Sequence, residues 1–372
     1  MLSKRLSNLH PYVPGEQPMD REYIKLNANE NPYPPSPLAA QAVRNLMSGH
    51  PERLGLYPDP DATAVRQGIA DMLNRTGGVL AHPELNALPF KVTPDMIFCG
   101  NGSDEVLSFV FYAFFDAEQA LVLPEHTYSF YPVYAGFYSI PLDKIPLTKD
   151  WHIDTDTMLR HAARQNSAII LANPNAPTGI ALSRAQIRAM LDAAPEDRVF
   201  VVDEAYADFG TESCIALLAD YENLVIVRTF SKSLSFAGMR VGYAVARPEL
   251  IGALFTVKNS FNHFPLDAAV QIAAAAACAD TAYYTGCARK IIAERDSFHA
   301  FLQERGWNVI PSQTNFVFCE HPHVGGREIY SALKEHGILV RRFDTAGIEN
   351  YLRITVGTKE QMGALKAALE HI

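Results

Sequence analysis

A lysine suited to covalent chemistry stands at Lys232, in the run Val225-Ile226-Val227-Arg228-Thr229-Phe230-Ser231-Lys232-Ser233-Leu234-Ser235-Phe236-Ala237-Gly238-Met239-Arg240. It follows an apolar stretch of strand length, with a hydroxyl just before it and an arginine eight positions after it. An amine at a strand end can condense with an aldehyde to form a Schiff base. Ser231 and Arg240 can hold a phosphate carried by the same molecule. Pyridoxal phosphate has both groups.

In open α/β sheets ligands collect where strands end, so the other post-strand loops matter. Asp203-Glu204-Ala205-Tyr206 follows Arg198–Val202. A carboxylate at Asp203 could keep a pyridine nitrogen protonated, which makes the ring an electron sink. Tyr206 could donate to the ring's phenolic oxygen. An acidic helix start explains the same residues without a ligand. Asn173-Pro174-Asn175-Ala176-Pro177-Thr178-Gly179 follows Ala168–Ala172; Asn175 could reach the same oxygen, or the segment is turn chemistry alone. Gly100-Asn101-Gly102-Ser103-Asp104-Glu105 offers close backbone approach and a helix N-terminus to an anion, and equally reads as a plain strand-to-helix turn. Tyr128, after Ala120–Leu123, could stack on a flat ring or pack in a loop. Arg353, inside the apolar run Tyr351–Gly357, needs an anion if buried: a substrate carboxylate or an internal acid. Arg341 and Arg342 form a second anion site or a solvated pair.

These loops need a scaffold. Strand-length apolar runs at Met96–Cys99, Ala120–Leu123, Ala168–Ala172, Arg198–Val202, Leu224–Arg228 and Val241–Ala246 alternate with helical segments. Their Val, Ile and Leu content suggests burial on both faces, hence a mainly parallel sheet flanked by helices. Ser183 with Gln186 predicts a capping box, and Ser103 a helix start. Beyond Pro265 a long helical stretch runs toward Arg305, with a break expected near Gly286. Strands at Phe316–Cys319 and Leu352–Val356 and helices at Glu328–His336 and Lys359–Glu370 follow. The reading is α/β, with an N-terminal arm over 1–35 rich in proline and packed on the small domain, a large domain over 36–265, and a smaller α+β domain over 266–372.

With 372 residues, 48% hydrophobic and 20% charged, the chain can bury a large core. A net charge of −9 disfavours nucleic-acid and anionic membrane surfaces. Five scattered cysteines, with no C-x-x-C pair, predict neither disulfides nor a thiolate zinc site. The twelve histidines lack metal-binding spacing, so no metal is expected. His263 could line a pocket or pack in its loop. No secretory leader or membrane span is evident, which predicts a cytoplasmic protein.

Seven motifs in order, Leu26–Pro32, Tyr57–Asp59, Gly100–Glu105, Asn173–Gly179, Asp203–Tyr206, Ser231–Arg240 and Leu352–Gly357, give the chain a wider likeness. Together they resemble the fold-type I family of pyridoxal-phosphate enzymes, and within it the histidinol-phosphate aminotransferases. The resemblance implies pyridoxal 5'-phosphate on Lys232, Asp203 at the pyridine nitrogen, Tyr206 at the phenolic oxygen and Tyr128 stacked on the ring. It implies a phosphate cup of Gly102, Ser103, Asp104, Ser231 and Arg240. Tyr57 would reach the cofactor of a neighbouring subunit, which implies a homodimer with shared sites. Arg353 would clamp the α-carboxylate and Arg341 the phosphate or second acidic group, with Tyr23 and Asn29 on the substrate side. Many relatives have asparagine where this chain has Ala176, so the phenolic oxygen would be met by Asn175 or by Tyr206 alone. The implied reaction takes histidinol phosphate and 2-oxoglutarate to imidazole-acetol phosphate and glutamate, in histidine biosynthesis. Rivals are an aromatic-amino-acid transaminase, a threonine-phosphate decarboxylase and a transcription regulator built on the same fold. The regulator would carry an added DNA-binding domain and sits poorly with the acidic charge.

Overall fold

The computed structural model describes residues 3, 6 and 9–372. Its elements begin with β1 (Ile24–Leu26), α1 (Pro37–Gly49), α2 (Thr63–Thr76), β2 (Ile97–Gly100), α3 (Gly102–Phe114), β3 (Leu121–Pro124), α4 (Tyr131–Tyr138) and β4 (Leu142–Ile145). They continue with α5 (Thr155–Gln165), β5 (Ile169–Ala172), α6 (Arg184–Ala193), β6 (Phe200–Asp203), β7 (Leu224–Thr229), β8 (Gly242–Ala246) and α7 (Pro248–Phe261). The C-terminal part holds α8 (Ala268–Ala279), α9 (Thr281–Glu304), β9 (Asn308–Ile310), β10 (Phe316–Glu320), α10 (Gly326–Glu335), β11 (Ile338–Arg342), β12 (Leu352–Thr355) and α11 (Lys359–Leu369).

The large sheet has the order β2-β8-β7-β6-β5-β3-β4. Strands β7, β6, β5, β3 and β4 are parallel, and β8 is antiparallel to both its neighbours. Helices cover both faces, as a parallel sheet requires. Alternate residues feed two cores: Ile169, Val202 and Ile226 meet Ile69 and Ile187, while Ile170, Val201 and Val225 meet Val110 and Leu254. The fold is the expected α/β architecture, and it gathers the C-terminal strand ends along one edge. Because β8 runs backwards, its first residue, Gly242, lies at that edge too, opposite Gly100.

The second sheet has the order β1-β11-β12-β10-β9. Strand β1 lies in the N-terminal arm and pairs in parallel with β11, Leu26 opposite Val340. The arm was expected to be extended, and it supplies a strand as well.

Two details of the sequence reading need correction. The helical stretch after Pro265 breaks at Asp280, not near Gly286, which lies within α9 with open space beside it. The change of core also does not fall at 265/266. Val270, Ala273, Ala274 and Ala277 of α8 share the core of α2, whose Gly68 lets the Cys278 side chain approach closely. The small-domain core takes up the chain from Phe298 and Leu302 onward. Alanines on a helix face carry little periodic signal, yet allow the closest helix packing.

Candidate active site

Two adjoining cavities open at the strand-end edge of the large sheet. The inner one, about 260 Å³, is lined by Ser103, Asp104, Tyr128, Asp203, Tyr206, Ser231, Lys232 and Arg240 among others. The outer one, about 360 Å³, adds Asn29, Arg341 and Arg353. Ala28, Tyr128, Ala176, Tyr206 and Lys232 face both.

Each inner side chain is placed by a strand end. Lys232 follows β7, and its Nζ donates to the Ala28 carbonyl at 3.1 Å. Burial and the nearby Arg353 guanidinium lower its pKa to about 8. Asp203 ends β6 and is buried; burial raises its pKa to about 6 despite hydrogen bonds from Tyr131 (2.9 Å) and the Ala205 N–H (3.1 Å). Tyr206 Oη accepts from Asn29 Nδ2 at 2.9 Å. Asn29 is itself fixed, because its backbone N–H donates to Thr355 Oγ1 at 2.9 Å and its Oδ1 accepts from the same hydroxyl.

The opposite end of the inner cavity suits a phosphate. Arg240 pairs with Asp104 at 2.7 Å and lies 3.4 Å from Ser231 Oγ. Tyr128 donates to the other Asp104 oxygen at 2.9 Å. Helix α3 starts at Gly102, one residue before the expected Ser103. Its N-cap, Asn101, makes no side-chain cap, and Glu105 Oε2 takes the Asn101 N–H instead. The first-turn N–H groups thus remain available to an anion. Gly102 has φ +79°, and a Cβ there would stand 2.3 Å from Arg240 Nη2. Gly242 is crowded as well, since a Cβ there would meet the Ser103 nitrogen at 2.2 Å. An amine, a buried acid and an anion cradle around one cavity fit pyridoxal phosphate.

In the outer cavity Arg353 reaches the Asn27 carbonyl at only 3.4 Å, and its buried Nε has no partner. Among the described residues it has no acidic partner, so the internal ion pair is not the answer for Arg353. Burial lowers its pKa. Arg341 faces the same cavity and donates to the Val13 carbonyl at 3.1 Å, whereas Arg342 turns to Asp344.

Three expected residues, Asn175, Tyr23 and Gly102, are not brought to these cavities. Asn175 spends its amide on holding loops together: Nδ2 donates to the His126 carbonyl and Thr178, and Oδ1 accepts from Thr127. Ala176 lines the cavity in its place. Tyr23 donates to Asp20 beneath the Arg21 guanidinium. Six residue steps of mostly extended chain, up to about 20 Å, separate it from Asn29. Gly102 acts beneath Arg240 rather than on the cavity wall. Tyr57 is 83% exposed and stacks on Phe264 at 4.6 Å. His263 packs on Phe264 and contacts Asn259, away from both cavities.

Sequence reasoning missed Tyr12, which lines the outer cavity and packs on Phe130 with ring centroids 5.1 Å apart. Its setting, His10-Pro11-Tyr12-Val13-Pro14, has no periodicity to flag it. It also missed Tyr131, although Tyr128, Tyr131 and Tyr134 recur at helical spacing.

The family model for aminotransferase class I and II matches residues 21–371. The histidinol-phosphate aminotransferase of Syntrophus aciditrophicus (strain SB) is 47% identical over 373 residues, covering 100% of this chain and 98% of that protein. That of Acinetobacter baumannii (strain AB307-0294) is 45% identical over 368 residues, covering 99% and 96%. Among solved structures, histidinol-phosphate aminotransferase from Sinorhizobium meliloti in complex with pyridoxal-5'-phosphate aligns with a TM-score of 0.85 at 26% identity, covering 100% of this chain and 96% of that one.

Proposed function

This chain belongs to the class I and II aminotransferases, and on that premise we propose that it transfers the amino group of L-histidinol phosphate to 2-oxoglutarate. The products are imidazole-acetol phosphate and glutamate, a step of histidine biosynthesis. The enzyme is a pyridoxal-phosphate-dependent transaminase acting on small molecules. Relatives of that activity at 45–47% identity over the whole chain support the substrate. The observation that carries it is the pair of guanidinium groups, Arg353 and Arg341, in the cavity that adjoins Lys232. A phosphate dianion, or the two carboxylates of 2-oxoglutarate, would use both. The single charge of phenylalanine's carboxylate would leave one guanidinium uncompensated.

Bound pyridoxal phosphate would supply an aldehyde that captures amines and a ring that withdraws electrons from the amine-bearing carbon. Lys232 would hold it, and with an amino donor bound its Nζ would carry the proton away from the substrate Cα. A pKa near 8 keeps a useful share of that amine neutral at physiological pH. Asp203 provides the negative charge for the ring nitrogen. Tyr206, held by Asn29, stands for the phenolic oxygen alone, since Asn175 is engaged elsewhere. Ser103, Ser231, Arg240 and the α3 N-terminus receive the phosphate, and Arg353 orients the substrate.

The chain works as a homodimer in this reading. Tyr57 and Leu56 are exposed, and no contact ties Tyr57 to its own cavity, which supports a role at the neighbouring subunit's site. The cytoplasm is the compartment proposed. All five cysteines are free and buried, and among the described residues no helix is long and apolar enough to cross a membrane.

The test is kcat/KM for histidinol phosphate against phenylalanine, with Lys232→Ala beside the parent enzyme. Histidinol phosphate is expected to win by at least about tenfold, as one lost charged contact would cost. The variant should lose both turnover and the visible absorbance of the bound cofactor. Equal or better use of phenylalanine would favour the aromatic transaminase, and carbon dioxide from threonine phosphate the decarboxylase.

A further inference from the structure

Tyr131 belongs to none of the loops that surround the cavity, and it is fully buried at the start of α4. Its ring packs between Phe111 and Tyr128, the latter edge-on at 5.4 Å. A buried phenol needs an acceptor. Tyr134, one turn on, uses the main-chain carbonyl of Asp104 at 2.8 Å. Tyr131 instead donates to Asp203 Oδ2 at 2.9 Å, on the one acid that ends β6 inside the cavity.

That choice matters because Asp203 is hard to keep charged. It is buried, and the acids Asp104 and Glu204 and the phenols of Tyr128, Tyr134 and Tyr206 bear on it. The cations Lys232 and Arg240 line the same cavity, but Lys232 donates to the Ala28 carbonyl and Arg240 pairs with Asp104, so neither is paired with Asp203. Its donors among the described residues are the Ala205 N–H on Oδ1 and the Tyr131 hydroxyl on Oδ2. The Ala205 amide is local and turns with the Asp203 backbone. The Tyr131 hydroxyl comes from another element, so it is the contact that fixes the plane of the carboxylate. Each oxygen keeps a further lone pair to offer the cavity.

We propose that Tyr131 is the positioning residue for Asp203, holding its carboxylate ionised and in one orientation toward the ring nitrogen of the cofactor. This rests on the transaminase reading above. A tyrosine that merely fills space would leave the charge state of Asp203 untouched, and that separates the two roles.

The experiment titrates Asp203 in the cofactor-free protein by carboxyl 13C NMR, with the resonance assigned through Asp203→Asn. In Tyr131→Phe the midpoint should rise by about one pH unit, because a donor to the charged form is lost. Tyr134→Phe, an equally buried phenol removed one turn away, should leave it in place. After loading with 15N-labelled pyridoxal phosphate, the ring-nitrogen resonance of Tyr131→Phe at pH 8 should move toward the unprotonated position. An unchanged midpoint in Tyr131→Phe, or an equal shift in Tyr134→Phe, overturns the proposal. If Tyr131→Phe does not fold, a fluorinated tyrosine at 131, a stronger donor, should lower the midpoint, and no movement overturns it. Should the protein take up no cofactor, the transaminase reading fails while the cofactor-free titration still decides the role of Tyr131.

Discussion

Asp203 and Lys232 are both poorly placed for their own ionisation, and each displacement has a measurable sign. Burial raises Asp203 from 3.8 to about 6. The folded state therefore binds that proton more tightly than the unfolded chain, so stability falls as pH rises through this window. At about 1.4 kcal/mol per pH unit, the cost above pH 6 is on the order of 3 kcal/mol. Asp203→Asn keeps an acceptor for Tyr131 and removes the charge. The cofactor-free variant should resist urea better than the parent at pH 8, with roughly half that gain at pH 5, and it should lose catalysis by at least about a hundredfold. A variant less stable than the parent at pH 8 would show that the acid is not strained. Lys232 is displaced in the direction that helps its chemistry, from 10.5 to about 8. At pH 7 its neutral fraction is then roughly 300 times that of an ordinary lysine. Uptake of pyridoxal phosphate by the cofactor-free protein should accelerate with pH to a midpoint near 8. A rate still climbing past pH 10 would mean the amine is not perturbed.

At the scale of elements, the proposed phosphate cup depends on how closely β8 passes under the start of α3. A methyl group on Gly242 would overlap the backbone of Gly102 and Ser103, so helix and strand would have to part. Gly242→Ala is therefore expected to weaken cofactor binding at least about tenfold while the far-ultraviolet circular dichroism stays unchanged. Equilibrium dialysis checks this, and parental affinity would show that the close approach is slack. Elements with strong local signals were legible beforehand. The Ser183–Gln186 capping box forms as read, and the six apolar strands coincide with observed ones to within about two residues. Strand β4 was not, because Leu142-Asp143-Lys144-Ile145 carries two charges and becomes a strand by pairing with β3. Strands β1 and β9, three residues each, are likewise made by their partners. The break at Asp280 was missed because glycine draws attention as a helix breaker, yet Gly286 costs little on an open face.

Across the whole molecule, the outer cavity is assembled from parts far apart in the chain. The arm contributes Tyr12, the large sheet Tyr206, and the small sheet Arg341 and Arg353. Arg295, nearly buried, ties these units by donating to the carbonyls of Phe209 and Thr314. The proposed dimer extends that sharing to a second copy. Mixing Lys232→Ala with Tyr57→Ala, each inactive alone, should restore about a quarter of parental activity. Half of a symmetric dimer population would be hybrid, with one of two sites intact. No recovery after subunit exchange would place Tyr57 outside the partner's site.

Local order along the chain was sufficient for the parallel sheet, for Lys232 and Asp203 at strand ends, and for the cofactor they imply. Strand ends are set by short-range pattern, and the chemistry follows from the residue there. Packing of distant segments had to be seen to learn that Tyr131 donates to Asp203, that Asn175 is spent on its own loops, and that Tyr12 rather than Tyr23 lines the outer cavity. Those outcomes depend on which hydrogen-bond partners and surfaces come together across long loops, and no spacing in the sequence records that.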